Sequence, residues 1–397
     1  MVEDERLWGY INSPEAASAT DAIPHNENGW MRMVTSQRGS SPSAQRLVIV
    51  MAGQSWKDTD KASRTELDRT TKMVRIISSL IKTILSFGAL TSAFTNPIRN
   101  PGGSDPSLVY SGGYYYLLTT TWTDVQITRS TSIDGLKDGE TKVVYSTDND
   151  SRCCNNWAPE LHYLGDKWYI YYTAGTADNL DGQRSHVLAG GSTPWDSWSY
   201  GAQLTTEWGI DATIVRFNEY GNFLVFSCFH GVTYQSLCMQ KLGDDFISVT
   251  GDITVISEPT EDFEIHGTPV QEGPAALYTN GQTRIVYSAS YCWTQYYCLA
   301  SLTWDGTTNP TQASAWTKSD GCLLDSSNGN YGTGHNSFFQ SPDGTEVWTA
   351  FHATTNSEGA CDDSRYTMVQ PVGSNSDGTP NFGEAAPWTQ VFEEPSS

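Results

Sequence analysis

Asp105-Pro106-Ser107-Leu108-Val109-Tyr110, followed after a short turn by Tyr114-Tyr115-Tyr116, is the stretch on which the fold of this chain turns. A polar residue opens it, a short β-prone run follows, glycine occupies the turn, and an aromatic run returns. The same phrase recurs at Ala158-Pro159-Glu160-Leu161-His162-Tyr163 before Trp168-Tyr169-Ile170-Tyr171, and at Asp211-Ala212-Thr213-Ile214-Val215 before Phe223-Leu224-Val225-Phe226. It recurs again at Glu272-Gly273-Pro274-Ala275-Ala276-Leu277-Tyr278 before Arg284-Ile285-Val286-Tyr287, and at His335-Asn336-Ser337-Phe338-Phe339 before Val347-Trp348-Thr349-Ala350-Phe351. The openings are 53, 53, 61 and 63 residues apart (158−105, 211−158, 272−211, 335−272). That spacing suits four short strands and their turns, which is one propeller blade. Gly113, Gly165, Gly221, Gly281 and Gly344 fall in the turns, where positive φ is commonly required. The expectation is an all-β fold, a five-bladed β-propeller.

The first strand of each blade lines a propeller's channel, so Asp105, Ala158, Asp211, Glu272 and His335 should converge near the axis, with Trp157 and Glu160 flanking the second position. Three carboxylates facing one another oppose folding, so their convergence points to chemistry rather than support. Two carboxyls on opposite sides of a sugar can cleave a glycosidic bond, one protonating the leaving oxygen while the other activates water or attacks directly. A third, placed near the acid, raises its pKa by its own charge.

Composition agrees. Glycine (35), tyrosine (20) and tryptophan (14) are abundant, and few long stretches carry helical apolar spacing. A formal charge of −22 repels a polyphosphate backbone, so nucleic acid is excluded as a partner and a neutral ligand fits better. Aromatic faces can lie against the C–H faces of sugars. All eight cysteines lie between Cys153 and Cys361, and an even number in one block implies disulfides rather than zinc. Proximity along the chain suggests Cys228–Cys238, Cys292–Cys298 and Cys322–Cys361, leaving Cys153 and Cys154 as an adjacent pair.

Residues 1–72 are polar and lack alternating strands, and they read as a disordered extension or a gene-model artefact. Met73-Val74-Arg75 then opens an apolar run from Ile76 to Leu90 that closes at Thr91-Ser92-Ala93, so residues 73–93 resemble a signal peptide. The run is too short and too interrupted, at Lys82, for a membrane span. A secreted, extracellular, monomeric protein with its propeller over residues 97–397 is expected. Asn149-Asp150-Ser151 is an N-glycosylation sequon.

Gly103-Ser104-Asp105-Pro106, Trp157-Ala158-Pro159-Glu160, Gly209-Ile210-Asp211-Ala212, Glu272-Gly273-Pro274 and Gly334-His335-Asn336-Ser337 together resemble glycoside hydrolase family 43, the arabinofuranosidase, arabinanase and β-xylosidase group. Each motif is weak by itself, and five in register are strong. The resemblance implies inverting hydrolysis with Asp105 as general base, Glu272 as general acid, and Asp211 modulating and orienting the acid. It also implies a plant cell-wall polysaccharide or oligosaccharide substrate, no required cofactor, and room for a structural calcium or sodium ion facing His335. Arg365 resembles the family's late arginine near the substrate. Trp157, Glu160, Trp122, Trp208, His230 and Trp293 are the expected sugar contacts. Within the group, Gly103 to Ser130 and Ser288-Ala289-Ser290 with Trp293 look most like the exo-acting α-L-arabinofuranosidases. Endo-arabinanase and β-xylosidase are the alternatives, and a non-catalytic carbohydrate-binding propeller is the alternative outside enzymes.

Overall fold

The computed structural model describes residues 92–397. The expectations for residues 1–72, and for the signal-like segment up to residue 91, fall outside the described residues. Among the described residues no helix is long and apolar enough to cross a membrane.

Five four-stranded antiparallel sheets succeed one another along the chain. Blade 1 comprises Ser107–Ser111, Tyr114–Leu118, Val125–Ser130 and Glu140–Tyr145. Blade 2 comprises Cys154–Leu164, Lys167–Gly175, Arg184–Ala189 and Ser199–Gln203. Blade 3 comprises Gly209–Phe217, Gly221–Cys228, Ser236–Leu242 and Val249–Ser257. Blade 4 comprises Gln271–Thr279, Gln282–Ala289, Cys298–Trp304 and Trp316–Lys318. Blade 5 comprises Tyr331–Gln340, Val347–Thr354, Tyr366–Ser374 and Pro380–Asn381. The first strands touch in the order 1-2-3-4-5-1, which closes the ring.

The glycines between the first two strands sit at positive φ, as the turns require: 88° at Gly113, 51° at Gly165, 75° at Gly221, 72° at Gly281 and 74° at Gly344. What holds the ring together is a set of five apolar clusters, one between each pair of neighbouring blades. Tyr116, Ile127, Leu161 and Ile170 join blades 1 and 2, and Ile214, Leu224, Tyr171 and Val187 join blades 2 and 3. Val215 and Met239 meet Ile285 and Leu302, Leu277 and Val286 meet Phe351 and Met368, and Trp348 and Val369 meet Leu108 and Leu117. Alternation along each strand explains this, because both faces of an interior blade are covered by neighbours. The ends of the described chain are stitched too. Ala93–Thr95 pairs with Val391–Glu393, and the Asn96 side chain bonds both backbone groups of Val369 in blade 5 at 2.8 Å.

The four disulfides are Cys153–Cys154, Cys228–Cys238, Cys292–Cys361 and Cys298–Cys322. Proximity therefore identified the first two and failed for the others, since neither Cys292–Cys298 nor Cys322–Cys361 forms. Cys292 lies in the blade 4 loop that faces the blade 5 loop carrying Cys361, whereas Cys298 has entered the third strand of blade 4. Gly359 shows how closely the two loops meet: at φ 95°, a Cβ there would lie 2.3 Å from the Thr294 carbonyl carbon.

Candidate active site

A repeated backbone irregularity aims the channel residues. In blades 2 to 5 the ladder between the first two strands skips two residues: Ala158-Pro159, Asp211-Ala212, Gly273-Pro274 and His335-Asn336. Asp105-Pro106 occupies the same place, just ahead of the first strand of blade 1. The first residue of each pair is left-handed, with φ 54° at Asp105, 45° at Ala158, 58° at Asp211, 53° at Gly273 and 45° at His335. This is a β-bulge built into every blade, a device that re-aims a side chain at the end of a strand. Four of these five positions carry a non-glycine residue, for which positive φ is uncommon. The expected register is thereby corrected by one residue: Gly273, not Glu272, is the structural equivalent of Asp105 and Asp211. Glu272 instead matches Trp157, the residue before the bulge.

Each bulge leaves a backbone N–H to be satisfied, and a neighbouring blade supplies the acceptor. Asp105 N donates to His352 Nδ1 (3.1 Å), Ala158 N to Thr120 Oγ1 (2.8 Å), Asp211 N to Thr173 Oγ1 (3.0 Å) and His335 N to Ser288 Oγ (2.7 Å). Blade 4 is the exception. There the Gly273 amide donates to the Asp211 carboxylate itself, at 3.0 Å, while Ser227 Oγ bonds Gln271 O at 2.6 Å. Asp211 thus holds the backbone that carries Glu272.

The carboxyls converge as expected. His335 Nδ1 is 3.4 Å from Asp105 Oδ1 and 3.9 Å from Asp211 Oδ2. Asp105 is clamped from two blades: Arg365 donates to Oδ1 at 3.0 Å and Thr120 to Oδ2 at 2.5 Å. Glu272 is held from two others: Tyr297 donates to Oε1 at 2.9 Å and Gln235 to Oε2 at 2.8 Å. The rings of Tyr297 and His352 stack 5.6 Å apart between the two centres.

Electrostatics separate the acids. Burial opposes ionisation of Asp105, but the charges of Arg365 and His335 outweigh it and hold this carboxyl well below the usual range. Asp211 is pushed up by burial and then by the charges of Glu272 and Asp105. Burial also raises Glu272, with Asp105 adding to it, against the hydrogen bonds from Tyr297 and Gln235 and the charge of His335. Asp211 and Glu272 therefore both keep a proton to higher pH than Asp105 does. Burial disfavours the charged form of His335, yet Asp105, Asp211, Glu272 and Glu160 together raise its pKa. His352 is pushed down to about 4 by burial and Arg365. Its Nδ1 accepts the Asp105 amide, so that nitrogen carries no proton and the 3.2 Å approach of Asp105 Oδ1 is not an ion pair.

Of the other expected residues, Arg365 and Glu160 are buried in the channel, Glu160 bonded to His162 at 2.8 Å. Trp157 and Trp122 meet edge to face at 5.7 Å, and Trp157 Nε1 is buried without a protein partner among the described residues. Trp208, His230 and Trp293 stand on the rim instead: Trp208 packs on Phe229 at 4.8 Å, His230 bonds Glu207 at 2.9 Å, and Trp293 is 48% exposed. His335 brings a single imidazole, and no group of three His, Cys, Asp or Glu among the described residues is arranged to hold a metal ion.

The reading from sequence missed His352, Thr120, Tyr297 and Gln235. The first two had a signal, because Thr120, Thr173, Ser227, Ser288 and His352 recur at 53, 54, 61 and 64 residues (173−120, 227−173, 288−227, 352−288), in step with the blades. Tyr297 and Gln235 sit at loop ends with no such period.

Residues 94–380 match the family model described as glycosyl hydrolases family 43. An extracellular exo-α-(1→5)-L-arabinofuranosidase of Streptomyces avermitilis is 31% identical, the match covering 73% of this chain and 63% of that protein. α-L-arabinofuranosidase 43 of Humicola insolens is 30% identical, covering 72% of this chain and 62% of that one. The chain thus spans just under two thirds of the length of these curated relatives. The crystal structure of an α-L-arabinofuranosidase from Lactobacillus brevis superposes with a TM-score of 0.69 at 26% identity, over 75% of this chain and 98% of that one.

Proposed function

Because the chain belongs to glycosyl hydrolase family 43, we propose that its propeller removes terminal α-L-arabinofuranosyl residues from arabinan or arabinose-containing hemicellulose, inverting the anomeric centre in a single displacement. The observation that carries this reading is the opposite treatment of two carboxyls around one axis: Arg365 keeps Asp105 ionised, while burial favours the protonated form of Glu272. In the reaction, water on the Asp105 side gives its proton to that carboxylate as its oxygen bonds the anomeric carbon. The glycosidic bond breaks on the opposite side, and the leaving oxygen takes the proton of Glu272. Inversion asks for about 6.5–9.5 Å between the two carboxyls, room for that water. In this mechanism Glu272 must be protonated when the glycosidic oxygen arrives, with Asp211 charged beside it.

Support for arabinose comes from the names of the relatives. Support for exo action comes from the loops over Asp105. Trp122 bonds Asp363 of blade 5 through its indole, pairs its backbone with Asn156 of blade 2, and packs on Trp157. Three blades are thereby fastened together beside Asp105. The reading also takes the enzyme to work outside the cell, as two Streptomyces relatives named extracellular do, and four disulfides suit an oxidising compartment.

Incubation with aryl α-L-arabinofuranoside and with aryl β-D-xyloside tests this. Release of phenol from the first alone is expected. Release from the second alone would make the protein a xylosidase. Release from neither, with shortening of linear arabinan, would make it an endo-arabinanase, and no action on any of them would leave a binding propeller.

A further inference from the structure

The loops at the mouth are of two kinds. Those of blades 1 and 5 hold the base and are bonded to each other, as Trp122 and Asp363 show. Those of blades 3 and 4, residues 229–235 and 290–297, each end in a residue that holds the acid: Gln235 and Tyr297. On these two loops and the neighbouring segment 258–270 lie six of the eleven large apolar side chains that are exposed among the described residues, namely Phe229, Tyr234, Ile265, Tyr291, Trp293 and Tyr296. They are 40–53% open to solvent, and scattered surface aromatics would not concentrate beside one catalytic group.

We propose that Tyr234, Tyr291, Trp293 and Tyr296 form a track for the leaving part of the substrate, the second and later sugars beyond the bond being cut, so that the enzyme works on long neutral glycan chains. The inference rests on the hydrolytic reading above and extends it. Its direction follows from chemistry: the general acid protonates the leaving oxygen, so the chain that departs must lie on the side of Glu272. Its class follows from charge, because a net charge of −22 disfavours polyuronate chains whereas flat aromatic faces suit uncharged sugar rings.

The platform is held rigid before any ligand arrives. Cys292–Cys361 ties loop 290–297 to blade 5, Gly359 lies against Thr294, Tyr291 N bonds His266 O at 3.1 Å, and the His266 ring stacks on Tyr296 at 4.1 Å. A surface already ordered loses little entropy on binding, which favours its use in recognition.

The test is Tyr234→Ala combined with Tyr296→Ala, one from each loop. The readout is the ratio of kcat/KM on α-1,5-arabinopentaose to kcat/KM on aryl α-L-arabinofuranoside, which does not depend on how much of a preparation is folded. The ratio is expected to fall about tenfold, and the wild-type advantage of longer oligosaccharides to flatten. An unchanged ratio overturns the track. If the wild-type protein hydrolyses nothing, it is the hydrolytic reading that fails, and affinity electrophoresis in gels containing linear arabinan then decides. Retardation of the wild-type chain that the double variant loses supports the track, and equal mobility of the two overturns it.

Discussion

Glu272→Gln is expected to lower kcat/KM on α-1,5-linked arabinobiose by about 10³-fold, within the usual span of general acid catalysis. The loss on a dinitrophenyl arabinofuranoside should be far smaller, because that leaving group departs without a proton. The pH profile supplies the second signature. Burial raises Glu272, so the protonated, active form persists to higher pH and activity falls as pH climbs through its pKa. Glutamine neither titrates nor donates in that role, so the alkaline limb should vanish from the variant. The fold should tolerate the change. Tyr297 can still donate to the amide oxygen, Gln235 can turn its own amide to accept, and a carboxyl whose charge is opposed by burial is replaced by a neutral isostere. Equal losses on both substrates would move the proton donor elsewhere.

Asp105→Asn should behave differently in each respect. Removing the base slows the attack of water whatever group leaves, so both substrates should lose about 10³-fold together. Stability should suffer as well. Arg365 is 5% exposed and donates to Asp105 Oδ1, and an amide leaves its charge without a counterion. Breaking a buried pair from one side costs roughly 3–5 kcal/mol, so thermal unfolding should begin at a clearly lower temperature than for Glu272→Gln. A variant that melts like wild type, or spares the dinitrophenyl substrate, would contradict the role given to Asp105.

What could be read in advance followed from periodicity. Five hairpins with glycine at positive φ recur because every blade solves the same packing problem, and repetition makes even weak motifs such as Asp105-Pro106 and His335-Asn336 legible. The bulge was not legible, since it is a backbone event that spacing alone does not mark. Its consequence was the one-residue misplacement of Glu272, although Gly273, at φ 53° and with the His335 ring 2.9 Å from where a Cβ would sit, carried the clue. The disulfides of blade 4 were beyond reach for another reason. Cys292 and Cys361 are 69 residues apart and meet only because adjacent blades place their loops side by side. Tyr297 and Gln235 likewise reach Glu272 through loop geometry rather than through any repeat.

In the proposed mechanism Asp105 activates water opposite a proton donated by Glu272, in one step. Proton NMR of the sugar released in the first moments from an aryl α-L-arabinofuranoside tests it most directly, before mutarotation blurs the result. The β-anomer of L-arabinofuranose should appear first and the α-anomer only later. If the α-anomer is formed first, the sugar has been held covalently and released with retention, and the roles assigned to Asp105 and Glu272 are wrong.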